Sequence, residues 1–423
     1  MTPTLSTLSA FVRARFAMTR LRTRGQLEAY QRRKLVHFLR RRVPQVAAFA
    51  GAEFSGLGEA PIMDKAQLMS AFERYNTLGL GANEGWDIFG GRQAAPHGYS
   101  LGASTGTSGN RGLYVVSDAE RYEWLGVILS RAFPDLLTRR EKVAVILPQA
   151  SALYDAANES GRLQLRFFDL AGGVEAQVAA VEAFSPSVIV APPRVLVALA
   201  EADTELAPRE VFSGAEVLEA TDRATIEARF GGPVREIYMA TEGLFAVACR
   251  HGALHLIEDR VAFEWEPVGR DGLVTPLVTD FTRRTQIMLR YRMNDLVRLG
   301  EGACACGSPH RIIEEIIGRQ GDAFVFKKAD GGQVTLTPDV IRNAVLDADR
   351  AITDYRVTQT GVDAVLIELP VGQEGQLGAA KAGLRGLLSG AGVTPQISGG
   401  TAVLLENGYA KRRRVRVEKG VLG

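Results

Sequence analysis

The spacing of hydrophobic and polar positions changes character along the chain. Between about residues 140 and 216, short apolar runs alternate with helical patterns. The runs are "KVAVILP" (142–148), "LQLRFFDL" (163–170), "SVIVAP" (187–192) and "EVFSGAE" (210–216), and the helical patterns include "GVEAQVAAVEAF" and "RVLVALAEA". Apolar runs of this length read as strands buried on both faces, and strands separated by helices read as parallel crossover units. The class predicted is α/β, with a large N-terminal domain over 1–318 built on mainly parallel sheets. Beyond about 319, "ITDYRVTQT", "AVLIELPV" and "GGTAVLLENG" read as strands, and "PDVIRNAVLDA" and "LGAAKAGLRGLLS" as helices. They predict a separate small α+β domain over 319–423.

Near the start, "QLEAYQRRKLVHFLRRRV" sets Leu27, Tyr30, Leu35, Phe38 and Leu39 on roughly one helical face, with arginines opposite. That cationic face reads either as a solvated surface or as a dock for an acidic partner. Composition adds little: 46% hydrophobic, 23% charged, net charge +2 and pI near 8.4 are ordinary for a globular protein and give no reason to invoke nucleic acid. No run approaches the roughly 18 apolar residues of a membrane span. The Arg-interrupted start lacks the apolar core of a secretory signal, and three cysteines make no disulfide framework. A cytoplasmic protein is expected, with its oligomeric state not legible.

The stretch "GASTGTSGNRGLYVVS" (102–117) holds four glycines and four hydroxyl residues ahead of Leu113. Ser117 and Glu120 then form a capping-box pattern that opens a helix, so the stretch lies at a strand-to-helix turn, where nucleotide phosphates are held in α/β folds. Glycines bring backbone N–H groups close to an anion, and hydroxyls add donors without bulk. Ser104, Thr105, Gly106, Thr107, Ser108 and Gly109 with Arg111 can therefore wrap a polyphosphate. No Gly-Lys-Ser/Thr follows, so this is not a Walker A loop.

Three further motifs follow in order: "YMATEG" (238–243), "YRMNDLV" (291–297) and "IIGRQGDAF" (316–324), the last preceded by "CACGSPHRI". The ordered set resembles the adenylate-forming superfamily of acyl-CoA synthetases and carrier-protein ligases, and within it the phenylacetate–CoA ligase branch with its coenzyme-synthetase-like relatives. The resemblance implies activation of a small carboxylic acid, aromatic in that branch, by ATP to acyl-AMP and pyrophosphate. Transfer to a thiol of CoA or of a carrier-protein pantetheine would follow. Adenylation of a coenzyme without thioester formation is a related alternative, and an inactive nucleotide-binding scaffold is an alternative of another class.

Residue by residue, the resemblance implies that the loop 104–111 holds the β- and γ-phosphates, with Arg111 supplying charge where a Lys is common. Glu242, beside Thr241, would bind Mg²⁺. Tyr238 would stack on adenine, framed by the backbone of Gly214, Ala215 and Glu216. Asp295 would accept from the ribose hydroxyls, and Arg319 would reach ribose or phosphate. The C-terminal "AKRRRV" places Lys411 at the catalytic Lys of a mobile domain, whose hinge would fall at Gly321.

All three cysteines, Cys249, Cys304 and Cys306, lie in one interval together with His251, His255 and His310. Three thiolates and one imidazole suit tetrahedral Zn²⁺, and three reduced thiols are the alternative. Some phenylacetate–CoA ligase-like proteins carry a metal in the matching place. That resemblance implies a structural zinc on Cys249, Cys304, Cys306 and His255, the last fitting better than His251.

Overall fold

The strands expected after residue 140 assemble side by side. In the computed structural model, which describes residues 3–104, 111–147, 163–170, 173–269, 272–404 and 412–421, a twelve-stranded sheet organises the first three quarters of the chain. One half runs in the spatial order Leu163–Asp169, Glu141–Leu147, Val188–Ala191, Glu210–Gly214, Arg235–Ala240, every neighbouring pair parallel. These are the continuous apolar runs read from the sequence. Val143, Val145, Val188 and Phe212 go into the core on one face, and Ala144, Ile146, Ile189 and Val211 into that on the other.

The other half is antiparallel. It continues through Gly243–Ala248, Leu254–Leu256, Ile312–Arg319, Asp295–Gly300, Leu273–Asp280 and Val261–Val268. The switch of direction falls between Arg235–Ala240 and Gly243–Ala248, which are joined by the tight turn Thr241–Glu242.

Helix Pro3–Arg20 lies along helix Asp118–Ala132, which opens at the expected capping box of Ser117 and Glu120. Gly126 makes that approach possible: a Cβ there would lie 2.6 Å from Ala10 Cβ and 2.7 Å from the Thr7 carbonyl oxygen. Helix Arg24–Arg41 buries Leu27, Phe38 and Leu39 and is capped by Thr23 with Gln26.

Residues 324–404 and 412–417 form their own core from Phe324, Phe326, Ile341, Val357, Ile367, Leu384 and Val415 among others. Here strands Gln396–Ala402, Ala364–Pro370, Arg356–Gly361 and Val415–Val417 make a sheet in that order, beside helices Pro338–Leu346 and Leu377–Gly390. Gly321 sits in the short 3₁₀ turn Gln320–Asp322 without positive φ, and a Cβ would meet nothing. The residue that requires glycine is Gly318, at φ 143° with Pro338 3.5 Å from where its Cβ would be.

Candidate functional site

A cleft of about 720 Å³ opens at the carboxyl ends of the parallel strands, beside the turn where the sheet changes direction. Ligands of open α/β sheets bind at such strand ends. The smaller unit supplies the opposite wall through Asp322, Tyr355 and Arg412–Arg414.

Ser104 and Arg111 bring the stem of the glycine–hydroxyl loop to this cleft. Ser104 N donates to the Gly112 carbonyl at 2.8 Å, and Gly112 N donates to Ser104 Oγ at 2.7 Å, which closes the stem. Thr105, Gly106, Thr107, Ser108 and Gly109 lie outside the described residues, as does Lys411. The Arg111 guanidinium rests over the rings of Trp86 and Phe89, 5.0 and 5.4 Å from their centroids, and lines the cleft. Stacking there holds the cation through its face, Nε donates to the Ser104 carbonyl oxygen at 3.4 Å, and the Nη edge is the part that can meet an anion.

The turn after Arg235–Ala240 delivers Thr241 and Glu242. Thr241 Oγ1 donates to Glu242 Oε2 at 2.7 Å, Tyr291 Oη donates to Glu242 Oε1 at 3.0 Å, and Lys65 Nζ stands 3.9 Å from Oε1. Burial and the adjacent Glu242 charge raise the Tyr291 phenol, which keeps it a donor. A carboxylate oriented by two donors retains further lone pairs, and a hard-oxygen site of this kind suits Mg²⁺.

Tyr238 lines the cleft with most of its ring buried, packed 5.3 Å from the Phe245 centroid, and its hydroxyl donates to Asp295 Oδ2 at 2.7 Å. Asp295 pairs in register with Arg319 on the neighbouring strand, Arg319 Nε lying 3.9 Å from Asp295 Oδ1. So Tyr238, Asp295 and Arg319 form one hydrogen-bonded and ionic row. Gly214, Ala215 and Glu216 follow the strand end at the same cleft, with Ala215 in the left-handed region at φ 69°. A non-glycine residue held there marks a backbone shaped by its surroundings, a feature that clusters at ligand sites.

Sequence reasoning missed Lys65 and the role of Tyr291 in orienting Glu242. Tyr291 begins a motif already singled out. Lys65 belongs to none of the motifs, and its only signal was the capping box of Asp64 with Gln67 that starts its helix.

The cysteines make a second, separate site. Cys249 Sγ, His255, Cys304 Sγ and Cys306 Sγ place their ligand atoms within 4.8 Å of one another. Cys249 Sγ and Cys304 Sγ are 3.7 Å apart and Cys306 Sγ is 3.2 Å from His255 Nε2. Two thiolates on a tetrahedral Zn²⁺ with Zn–S bonds of about 2.3 Å stand about 3.8 Å apart, so the sulfur spacing fits. His255 Nδ1 lies 3.1 Å from the His310 carbonyl oxygen, which fixes the ring with Nε2 toward the thiols, the usual support of a metal-bound imidazole. His251 is exposed and outside the set.

No family model matches the chain. Protein CapK of Staphylococcus aureus is 26% identical over 169 residues, a match spanning 40% of this chain and 36% of CapK. Among solved structures, 2-hydroxyisobutyryl-CoA ligase in its postadenylation state with R3-HIB-AMP aligns over 94% of this chain and 90% of its own, at 16% identity and a TM-score of 0.66. ATP-bound MatB of Rhodopseudomonas palustris aligns over 76% and 67%, at 17% identity and a TM-score of 0.52.

Proposed function

From the adenylate-forming fold that this chain shares with those ligases, we propose that it is an AMP-forming acid–thiol ligase. A substrate carboxylate attacks the α-phosphorus of ATP, the bond to the bridging oxygen breaks, and pyrophosphate leaves; a thiol then displaces AMP from the acyl-adenylate. The observation that carries the reading is the convergence, on one cleft between two units, of the loop stem at Ser104 and Arg111, the Thr241–Glu242 pair and the Tyr238–Asp295–Arg319 row.

Such transfer asks the protein for in-line positioning and charge stabilisation more than for covalent chemistry. Arg111 and the loop 104–111 hold the β- and γ-phosphates, and Lys65 adds a cation beside Glu242. Mg²⁺ bound at Glu242 supplies neutralisation of phosphate charge. Asp295, held by Tyr238, accepts from a ribose hydroxyl. Gly214–Glu216 and the exposed edge of Tyr238 border adenine. Arg319 and Lys411 meet phosphate and carboxylate where the unit 1–318 joins the unit 319–423. The acid is small and, on the sequence resemblance, aromatic; the acceptor is CoA or a carrier-protein pantetheine. A structural Zn²⁺ on Cys249, His255, Cys304 and Cys306 ties the end of strand Gly243–Ala248 to the loop before strand Ile312–Arg319.

The test is acid-dependent release of pyrophosphate and AMP from ATP across a panel of aryl and alkyl acids. Release with one group of acids supports the reading. Tight ATP binding with no pyrophosphate released by any acid, or formation of ADP, overturns it.

A further inference from the structure

Helix Pro3–Arg20 carries apolar residues on two opposite sides. One side, with Thr7, Ala10, Phe11 and Ala14, is buried against helix Asp118–Ala132, and the close contact at Gly126 fixes the rotation of the helix about its axis. On the other side Leu5, Leu8, Val12 and Phe16 stand 54%, 43%, 48% and 54% exposed. At 100° per residue these four fall on one stripe about 16 Å long. Among the described residues the other exposed large hydrophobics, such as Val362, Val371 and Val403, come from the smaller unit, the helix Arg24–Arg41 or a surface turn, and only this element carries four. Isolated exposed apolar residues need no explanation, whereas a contiguous patch does.

Charge borders the stripe. By helical spacing Arg13 and Arg20, both exposed, flank it on one edge, while Arg15 on the other edge is half-buried, its Nη1 3.5 Å from the Ser130 carbonyl oxygen. The Arg20 guanidinium lies 4.1 Å from the centroid of the Phe16 ring. Residues 1–42 contain eleven of the chain's fifty Lys and Arg but only one of its forty-eight Asp and Glu. They therefore carry a net charge of +10 in a chain whose total is +2, and the remainder stands at −8.

We propose that this face is a peripheral membrane-binding surface for anionic lipid bilayers, Leu5, Leu8, Val12 and Phe16 entering the headgroup–acyl boundary while the surrounding arginines meet lipid phosphates. An amphipathic surface of basic residues around an apolar strip is the pattern that binds bilayer interfaces in plane. An acidic protein or a nucleic acid answers the charge but leaves the leucines and Phe16 unexplained; a second copy of the chain answers the apolar strip but sets two cationic faces against each other. A bilayer with anionic headgroups satisfies both. No described helix is long and apolar enough to cross a membrane, so the attachment is to one leaflet.

Flotation of the full chain with phosphatidylglycerol–phosphatidylcholine vesicles, against pure phosphatidylcholine vesicles, tests it. Binding is expected to the anionic vesicles and to fall at least tenfold as ionic strength rises from about 0.05 to 0.5 M, where screening shortens to a few ångströms. Val12→Asp with Phe16→Asp, and separately Arg13→Glu with Arg20→Glu, should each lower partition at least tenfold while leaving the melting temperature unchanged, since all four side chains are exposed. Absence of binding, or binding that neither pair alters, overturns the proposal. So does a dimer that Val12→Asp with Phe16→Asp dissolves without any vesicle partition, or capture of an acidic carrier protein by this face without it.

Discussion

Arg414 and Asp222 meet end-on across the junction of the two units, guanidinium Nη1 and Nη2 lying 2.9 and 3.0 Å from the two carboxylate oxygens. The same cation reaches Glu219 at 2.9 Å and, through Nε, Asp354 at 2.8 Å. Glu219 and Asp222 belong to the start of helix Ala220–Phe230 in the large unit, while Arg414 and Asp354 belong to the small one. Removing one partner of a buried ionic cluster leaves the others uncompensated. Arg414→Leu is therefore expected to lower the unfolding free energy by about 3–5 kcal/mol in urea titration. A loss below about 1 kcal/mol, the scale of an exposed pair, would show the junction open in solution.

The two glycines near that junction separate cleanly. Gly318→Ala places a Cβ at φ 143° and should destabilise the protein by about 1–3 kcal/mol, whereas Gly321→Ala should change it by less than about 0.5 kcal/mol. Melting temperatures of the two variants decide the matter, and equal losses would mean that the turn at Gln320–Asp322 changes conformation in solution.

For the chemistry, Lys411→Ala is expected to slow acyl-adenylate formation by about two to three orders of magnitude, the scale of losing one preorganised donor. Thioester formation from supplied acyl-adenylate should persist. Equal damage to both half-reactions would move the role to a neighbouring cation, and Arg412 and Arg413 already line the cleft.

The cysteine cluster predicts about one zinc per chain by elemental analysis of protein purified without added metal. Cys304→Ser with Cys306→Ser should abolish the zinc and lower the melting temperature, because binding to a structural site is part of the folding free energy. Zinc-free protein with three freely titrating thiols and an unchanged melting temperature would leave the cluster as reduced cysteines.

Acid should find a weak point at Asp259. Burial alone would raise this carboxyl, but the Arg131 guanidinium bonded to it, with His310 and Arg260, holds it down at about 2. A carboxyl depressed on folding stabilises above its unfolded value near 3.8, and that contribution drains as pH falls toward about 2. The loss assigned to this group is about 2 kcal/mol. Urea titrations from pH 5 downward should therefore show a shallower decline for Asp259→Asn than for the parent, and parallel declines would remove Asp259 as the cause.

Much of this was legible in the chain. The runs at 142–148, 163–170, 187–192 and 210–216 became the parallel half of the sheet because strands covered on both faces are apolar throughout. Ser117 and Glu120 gave the helix start, since a capping box is a local interaction. The antiparallel half was not legible. Its strands are recruited from residues as far apart as His255 and Ile312, and no local periodicity encodes which of them become neighbours. Lys65 was missed for the same reason: it reaches Glu242 only through the packing of Met63 beside Tyr291. The exposed stripe of the first helix was overlooked because its apolar residues mingle in sequence with those of the buried face, and only the contact with Gly126 tells the two apart.

Ser104 and Arg413 line one cleft although more than three hundred residues of chain separate them. When the last strand of the large sheet, Ile312–Arg319, has been synthesised, the cleft still lacks Asp322, Tyr355 and Arg412–Arg414. Strand Val415–Val417 slots in beside Arg356–Gly361, and Arg412, Arg413 and Arg414 arrive with it. The arginine wall is thus the last part of the cleft's described lining to be synthesised: a chain cut before residue 412 keeps Ser104, Glu242 and Asp295 but lacks Arg412, Arg413 and Arg414.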